Sequence, residues 1–304
     1  MSAGCRVRVL AAEENGVFAA TVTAVVDPQF NRHWNQRAGH LFFFEALPGR
    51  PEAARALLDE ACGWLRQEGC QFARLSFLYG WQIGLNIDAY DHCPSFLHPY
   101  NPPYYHSLIK GAGFFTEKGL VEYHTQFSDE LAALYRENVG RAGAAGLGLR
   151  TWDFSRLSDE TALFLELYNH TFAEHWGAPQ FSFDQVAGLT EGLREMLVPE
   201  WLWFAEVDGE TAGVVYSLPD MNRAFHGHPQ DHGMLLCIGV KRSFRGRGVN
   251  LALASASYLA MMASGCRSAS YTIVLDDNWP SRRTAEKLGG RVARSFNVYR
   301  RDFR

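Results

Sequence analysis

The sequence lacks a long hydrophobic run, a paired cysteine motif and an excess of positive charge. No window approaches 18 uninterrupted apolar residues, so we predict no membrane span. The net charge is −4, which excludes a general basic field that would recruit DNA or anionic lipid. The first residues show no basic segment followed by an apolar run, so we expect no cleaved signal peptide.

The six cysteines are scattered, without a CxxC pair or an even framework. This pattern is typical of reduced thiols, and we expect a cytoplasmic protein, a monomer or a homodimer, with several thiols simply buried. One loop contains His226, His228, Asp231 and His232. Their spacing is irregular and matches no known ligand geometry, so we predict no metal site.

What the sequence does contain is enough apolar material for two cores. A chain of 304 residues with 47% hydrophobic and 20% charged residues suits two domains of about 150 residues each. The glycine-rich segment 141–148 is the most linker-like stretch. We therefore predict one domain at residues 1–145 and a second at 146–304.

Helix and strand patterns alternate along both halves, which indicates an α/β (α+β) fold. We predict strands at residues 19–26, 40–46, 72–78, 115–127, 201–207, 213–218, 234–240, 268–275 and 292–301. We predict helices at residues 51–67, 104–110, 158–175, 183–197, 248–263 and 281–288.

The two halves contain an internal repeat. The Asn-x-Pro that starts at Asn101 recurs at Asn278, with a Lys and a Gly following at the same distances. Upstream of each, a predicted helix ends in Gly-Cys, at Cys70 and Cys266, and a predicted strand follows. The shared order of these elements favours duplication of one domain.

The strongest local motif is Arg245-Gly-Arg-Gly-Val-Asn250, between a predicted strand and a predicted helix. Gly246 and Gly248 allow successive N–H groups to turn toward one point, and the helix dipole and the arginines add positive charge. The loop suits a pyrophosphate. The motif is not a P-loop, and it matches the dinucleotide-binding fingerprint poorly. A glycine-rich turn without a binding role stays open as the alternative interpretation.

These residues, followed by Asn278 and the Lys287-Leu-Gly-Gly290 ending of a short helix, resemble the GCN5-related N-acetyltransferase (GNAT) superfamily. The resemblance covers residues 201–301 and extends to a bacterial subgroup with two such domains in tandem. It implies two GNAT-like domains, each a mixed, centrally twisted sheet flanked by helices. It also implies acetyl-CoA or another acyl-CoA as co-substrate.

Carried over by this resemblance, one set of residues is expected to bind coenzyme A. The set comprises Ile238, Gly239, Val240, Arg245, Gly246, Arg247, Gly248, Val249, Asn250, Asn278, Ser281 and Arg282. Gly239 has an equally good interpretation as a packing glycine. Asn250 replaces the motif's last Gly or Ala, and Ala285 stands where many members carry a tyrosine acid.

The family's chemistry requires a group that accepts a proton from the amine. Glu206, Asp220 and His175 are our candidates, each with a structural alternative as a surface carboxylate or a packed histidine. Tyr271 and Tyr299 are candidates for the missing acid, although strand tyrosines usually serve packing.

We therefore predict an acyl-CoA-dependent N-acyltransferase that acts on the amine of a small molecule or peptide. Two alternatives stay open: acyl carrier protein or aminoacyl-tRNA as the donor, and a non-catalytic acyl-CoA-binding module. The amino-terminal copy has Leu47-Pro-Gly-Arg-Pro51 in place of the pyrophosphate loop. Because Pro51 offers no N–H, we expect that this copy has lost cofactor binding and helps to shape the acceptor groove.

Overall fold

The computed structural model describes residues 4–78 and 82–303, and these form two compact units. Unit 1 contains the described residues up to Leu120 together with those from Arg294 onward, and unit 2 is Val121–Ala293. The chain therefore passes from unit 1 to unit 2 after Leu120 and returns to unit 1 at Arg294, whereas the predicted boundary is at residue 145. Segment 141–148 lies inside unit 2, where it ends a helix and begins a strand.

In unit 1 the strand order is β1-β2-β3-β4-β14. Strands β3 and β4 run parallel, whereas the other neighbours in this order are antiparallel. The elements of unit 1 are β1 (Arg6–Glu14), β2 (Val17–Val26), α1 (Pro28–Trp34), β3 (Ala38–Ala46), α2 (Pro51–Gln67), β4 (Phe72–Leu75), β5 (Phe77–Leu78), β6 (Gln82–Ile83), β7 (Leu85–Asn86) and α3 (Tyr105–Gly111). Strand β8 (Phe115–Gln126) then continues into unit 2, and the chain's last strand, β14 (Arg291–Asp302), returns to unit 1.

In unit 2 the strand order is β8-β13-β12-β11-β10-β9, with β12 and β13 parallel. Its other elements are α4 (Asp129–Ala144), β9 (Leu147–Thr151), α5 (Leu157–Thr171), α6 (Phe183–Leu193), β10 (Trp203–Val207), β11 (Glu210–Pro219), α7 (Met221–Phe225), β12 (His232–Val240), α8 (Val249–Ala263), β13 (Ser268–Leu275) and α9 (Trp279–Lys287). Each unit is thus a mixed sheet with helices, and the predicted fold class is confirmed.

Most predicted elements form, and the exceptions have local causes. Helix α4 escaped prediction because its glycines suggest a linker, although Ser128 caps it and Asp129 and Glu130 favour its first turn. Strand β1 was not predicted, although arginines alternate with its valines, a pattern typical of a strand. The helix predicted to reach His175 ends at Thr171.

The internal repeat corresponds to the same order of elements in both copies. Helices α2 and α8 each lead through a left-handed glycine, Gly69 (φ 84°) or Gly265 (φ 90°), to a buried cysteine and a strand. In each copy that strand pairs in parallel with the strand before the helix. A short helix and a long last strand follow, α3 with β8 and α9 with β14.

The part of the chain that the structure describes contains no helix long and apolar enough to cross a membrane.

The close pairing of β11 and β12 depends on a glycine. A Cβ atom on Gly213 would lie 2.7 Å from the carbonyl oxygen of Gly239, which is backbone and cannot rotate away. We expect Gly213→Ala to destabilise the fold by about 1–3 kcal/mol, measured by urea unfolding. The matched control is Gly188→Ala in helix α6, where nothing lies within 4 Å. It should be neutral or stabilising by up to about 1 kcal/mol, and an equal loss in both variants would contradict the packing argument.

Candidate functional site

A cleft opens in unit 2 because strands β12 and β13 separate partway along their length. Their parallel ladder starts at the pair His232 and Ser268 and ends at the pair Leu235 and Tyr271. We call this last pair the fork. Both strands continue for several residues beyond it. The space beyond the fork is a cleft of about 880 Å³, a volume typical of small-molecule sites.

A β-bulge bends β12 at the fork. On β11, Tyr216 pairs with Cys237 and the next residue, Ser217, pairs with Leu235. Leu236 is therefore the extra residue, and such bulges bend a strand and increase its twist. Beyond the bulge, the edge of β12 that faces the cleft has left the ladder with β13, so its peptide groups are available to a ligand.

Gly239 is a packing glycine at the end of β12. Its Cβ would lie 2.6 Å from the Thr171 hydroxyl oxygen and 3.3 Å from the Phe172 ring. The absence of a side chain lets the end of α5 approach the strand and form one wall of the cleft. The structural interpretation of Gly239 therefore explains how it shapes the site.

The mouth of the cleft is the glycine loop that leads into α8. Gly246 and Gly248 both have φ of 80°, a conformation that only glycine adopts easily. Gly248 is the N-cap of α8 and no side chain caps the helix. The first N–H groups of this 15-residue helix are thus left for a ligand, and the helix dipole favours an anion there.

Two side-chain contacts fix the far side of the mouth. The Asn250 amide nitrogen donates to the Thr284 hydroxyl at 2.6 Å, which joins the first turn of α8 to α9. Asn278 caps α9 by accepting from the Ser281 N–H at 3.3 Å. Asn250, unusual at this position of the motif, therefore points its amide at a neighbouring helix.

The structure brings most of the predicted cofactor residues together around this cleft. Those that line it are Ile238, Gly239, Val240, Arg245, Gly246, Val249, Asn250, Asn278 and Ser281. The other three lie beside it: Gly248 caps α8, Arg247 stacks over the Phe244 ring at 5.4 Å, and Arg282 binds the Tyr123 hydroxyl at 2.9 Å.

Of the three predicted proton acceptors, only His175 lines the cleft. The Glu206 carboxylate accepts from Arg150 at 2.8 Å, and Arg150 also binds Glu160. Asp220 is buried and caps the short helix α7 by accepting from the Asn222 N–H. Neither carboxylate is among the residues that line this cleft, and a catalytic role for them stays a prediction.

Sequence reasoning missed two titratable residues of the lining, His170 and Glu174. With His175, they follow from the end of α5 into the segment 172–181. Asn169 secures this segment through two hydrogen bonds with the Phe181 backbone, at 2.9 and 3.0 Å. Polar residues after the last turn of a helix were the signal, but the overextended helix prediction concealed it.

Burial controls the ionisation of the groups at the fork. It raises the pKa of the Cys237 thiol to about 12 and that of Tyr271 to about 12, although a hydrogen bond from Ser281 opposes the second shift. Both groups therefore stay protonated near neutral pH. This excludes a resting thiolate nucleophile at Cys237. Tyr299 lies in unit 1, where its hydroxyl contacts His106 at 2.6 Å.

In unit 1 two tyrosine side chains bond the end of the corresponding strand, β3. Strand β3 runs on past its ladder with β4. There the Tyr104 hydroxyl donates to the Ala46 carbonyl at 2.6 Å, and the Tyr105 oxygen accepts from the Ala46 N–H at 3.0 Å. Both backbone groups of Ala46 are therefore already bonded, and Pro51 begins the following helix without an N–H.

The histidine-rich loop contains no metal cluster among the residues that the structure describes. Three of the four candidate ligands have side-chain contacts with the protein instead. The His232 ring contacts the Ser268 and Ser270 hydroxyls, Asp231 accepts from Arg223 at 3.0 Å, and the His226 ring contacts the Asn222 carbonyl.

Comparisons with known proteins agree with this geometry. Residues 163–290 match the profile of the Acetyltransferase (GNAT) family. Over 318 residues the chain is 24% identical to a bacterial ceramide synthase from Caulobacter vibrioides (strain NA1000 / CB15N), an alignment that covers 96% of this chain and 83% of that protein.

Two solved structures share the fold at low identity. The GCN5-related N-acetyltransferase from Sphaerobacter thermophilus has a TM-score of 0.59 at 14% identity and covers 95% of this chain and 78% of its own. A tandem GNAT protein from the clavulanic acid biosynthesis pathway has a TM-score of 0.59 at 13% identity and covers 99% and 84%. The predicted tandem arrangement is confirmed at the level of the fold.

The raised pKa of Cys237 predicts slow alkylation of a thiol that lines an open cleft. Below a pKa of about 12 the thiolate fraction rises about tenfold per pH unit, so the rate should still be rising at pH 10. Peptide mass spectrometry after iodoacetamide treatment measures it, with the exposed Cys93 as the internal comparison. A rate at Cys237 that levels off below pH 9 would contradict the assignment.

Proposed function

We propose that this chain, whose residues 163–290 match the Acetyltransferase (GNAT) family, is an acyl-CoA-dependent N-acyltransferase. It transfers an acyl group from the coenzyme A thioester directly to the amine of a small acceptor. The observation that carries the proposal is the cleft beyond the fork, with an uncapped helix N-terminus at its mouth.

The cleft has the chemistry that each part of an acyl-CoA needs. The pyrophosphate pairs with the free N–H groups of α8 and with Arg245 at the mouth. The pantetheine arm lies between the separated strands and takes hydrogen bonds from the free edge of β12. From Leu236 to Val240 this edge spans about 13 Å at 3.3 Å per residue, so it follows much of an extended arm.

Near the fork the site handles two charges that arise in acyl transfer: the negative charge on the thioester oxygen and the proton released by the amine. Peptide N–H groups of β12 beyond the bulge donate to the thioester oxygen as negative charge develops on it. The acceptor amine must lose a proton before it attacks. We assign this step to His175, the predicted base that lines the cleft, with His170 and Glu174 beside it.

For the acceptor, we propose a long-chain amino alcohol. A ceramide is an amide of such an amine, and the ceramide synthase relative aligns with nearly the whole chain. Apolar side chains of the lining, including Phe172, Leu236 and Ile238, are suited to a hydrocarbon chain. A longer acyl donor than acetyl-CoA follows from the same argument.

The alternative donors have less support. Acyl carrier protein or tRNA would need a broad basic face. Arg282 is engaged by Tyr123 and Trp279. In unit 1, Arg300 pairs with Glu117 and Asp302, and Arg301 pairs with Asp59.

We propose that only unit 2 binds the cofactor, because Tyr104 and Tyr105 already hold the backbone of β3 in unit 1. Isothermal titration of the full chain with coenzyme A should give one site per chain. A stoichiometry of two would contradict this assignment.

Gly248 provides a test of the pyrophosphate site. We expect Gly248→Val to remove the thermal stabilisation by coenzyme A, because the side chain strains the loop that presents the helix N-terminus. In the native protein, ligand at about 100 times its Kd should add about 2.7 kcal/mol of stability.

The matched control is Gly227→Val, which places the same side chain at a similar φ, 72° against 80°, in a loop outside the cleft. Both variants should lose comparable stability without ligand, but only Gly227→Val should still respond to coenzyme A. Equal responses would mean that the pyrophosphate binds elsewhere.

The acceptor class is tested by product analysis. The protein is incubated with acetyl-CoA or a long-chain acyl-CoA and with sphinganine, a short amino alcohol or a peptide amine, and amides are detected by mass spectrometry. We expect the long-chain pair to give the highest kcat/KM, and His175→Ala to lower kcat by about 10²-fold or more. Amide formation on the peptide alone would contradict the lipid acceptor but not acyl transfer.

A further inference from the structure

The position that supplies the acid in many GNAT enzymes is unusable here. Ala285 is only 1% exposed, has no polar side-chain atom and belongs to the core of unit 2. A leaving thiolate still needs stabilisation while the carbon–sulfur bond breaks. The donor must therefore come from another part of the cleft.

Two hydroxyl groups lie together in the cleft. The Tyr271 hydroxyl and the Ser281 hydroxyl are 3.1 Å apart, and both residues line the cleft. Tyr271 belongs to the last pair of the β12–β13 ladder, so it marks the fork. This is where the reactive end of an arm that enters from the glycine loop arrives.

The two hydroxyls have one more hydrogen than the hydrogen bond between them uses. Each hydroxyl has one hydrogen, and either oxygen can donate to the other. Whichever does so, the second hydrogen is not used within the pair. Among the described residues neither hydroxyl has another hydrogen-bond contact, so one O–H is free to point at a ligand.

The pair is held in place from both sides. Ser281 lies in the first turn of α9, which starts with Asn278 as the cap and Pro280 in its first turn. The Asn250 to Thr284 contact joins this helix to the pyrophosphate loop. The hydroxyl pair therefore keeps a fixed distance from the mouth, as a donor to the other end of a bound arm requires.

We propose that the Tyr271–Ser281 hydroxyl pair donates a hydrogen bond to the thioester sulfur and stabilises the coenzyme A thiolate as it leaves. The amine nitrogen bonds to the carbonyl carbon, the carbon–sulfur bond breaks, and its electron pair goes to sulfur. One proton of the acceptor ammonium goes to the base and the second leaves the attacking nitrogen. The thiolate gains one proton from solvent, so the products are the amide, the thiol and one proton.

The pair acts as a hydrogen-bond donor and not as a proton source. Burial raises the pKa of Tyr271 to about 12, above the ordinary range of a thiol. A full proton transfer to sulfur would run uphill, whereas a hydrogen bond to a charged acceptor is strong and needs no transfer. The donor therefore stays in place throughout the pH range of the reaction.

The test uses the pKa of the thiol of bound coenzyme A, read from the ultraviolet absorbance of its thiolate. The full-length protein, Tyr271→Phe, Ser281→Ala and the double variant are titrated with coenzyme A bound. We expect the bound thiol's pKa to rise by about one unit in the double variant, and kcat to fall at least about tenfold with little change in the Kd of coenzyme A. Each single variant should show a smaller rise, because the hydroxyl that remains has lost its partner and keeps one hydrogen for the sulfur.

Tyr135→Phe is the matched control, since it removes a tyrosine hydroxyl that donates to the Leu288 carbonyl outside the cleft. It should change neither the thiol's pKa nor kcat. If Tyr271→Phe does not fold, Ser281→Ala carries the same test from a helix terminus. This inference rests on the proposed function: no coenzyme A binding by the native protein would overturn both, whereas binding with an unshifted thiol pKa would overturn only the role of the pair.

Discussion

The candidate site depends on one structural constraint, the end of the parallel ladder between β12 and β13 at Leu235 and Tyr271. Two parallel strands normally stay about 4.8 Å apart and satisfy each other's peptide groups. Here the extra residue Leu236 bends β12 away, and its outer edge is released. A wedge of space with unpaired peptide groups is favourable only if a ligand or solvent fills it, which is why the cleft suits a narrow polar arm.

The surrounding elements hold this wedge open. Gly239 allows α5 to pack against β12, while Gly213 allows β11 to follow the bent strand closely. On the other side, the contact from Asn250 to Thr284 fixes α9 against the start of α8. Both walls of the cleft are therefore braced by contacts that involve no ligand, which is the preorganisation that binding and acyl transfer require.

Unit 1 has a related fold, but tyrosine side chains bond the end of its strand β3. Its short helix α3 is preceded by Tyr104 and begins with Tyr105, and the two hydroxyls satisfy both backbone groups of Ala46. The side chains thus take the hydrogen bonds that a cofactor would otherwise take. Together with Pro51 at the start of α2, this explains on physical grounds how a duplicated domain can keep its fold and serve another purpose.

Periodicity and turn residues were sufficient for most of the helices and strands, because hydrophobic alternation and helix caps are local properties. They failed at α4, where glycines outweighed the Ser128 cap, and at the end of α5, where an apolar pattern continued past Thr171. The same failure hid Glu174, which lies beyond the observed end of the helix. Glu206 and Asp220 were reasonable as carboxylates at strand ends, but Arg150 and the α7 backbone occupy them.

The sequence by itself determined the repeated mixed fold and the glycine turn that leads into α8, because Gly246, Gly248 and the start of α8 are neighbours along the chain. Only the tertiary structure decided where the strands part and which side chains meet there. Leu235 and Tyr271 lie 36 residues apart in the chain (271 − 235). Their pairing, and the hydroxyl contact of Tyr271 with Ser281 across the turn into α9, follow from a bulge and from helix packing that no local pattern encodes.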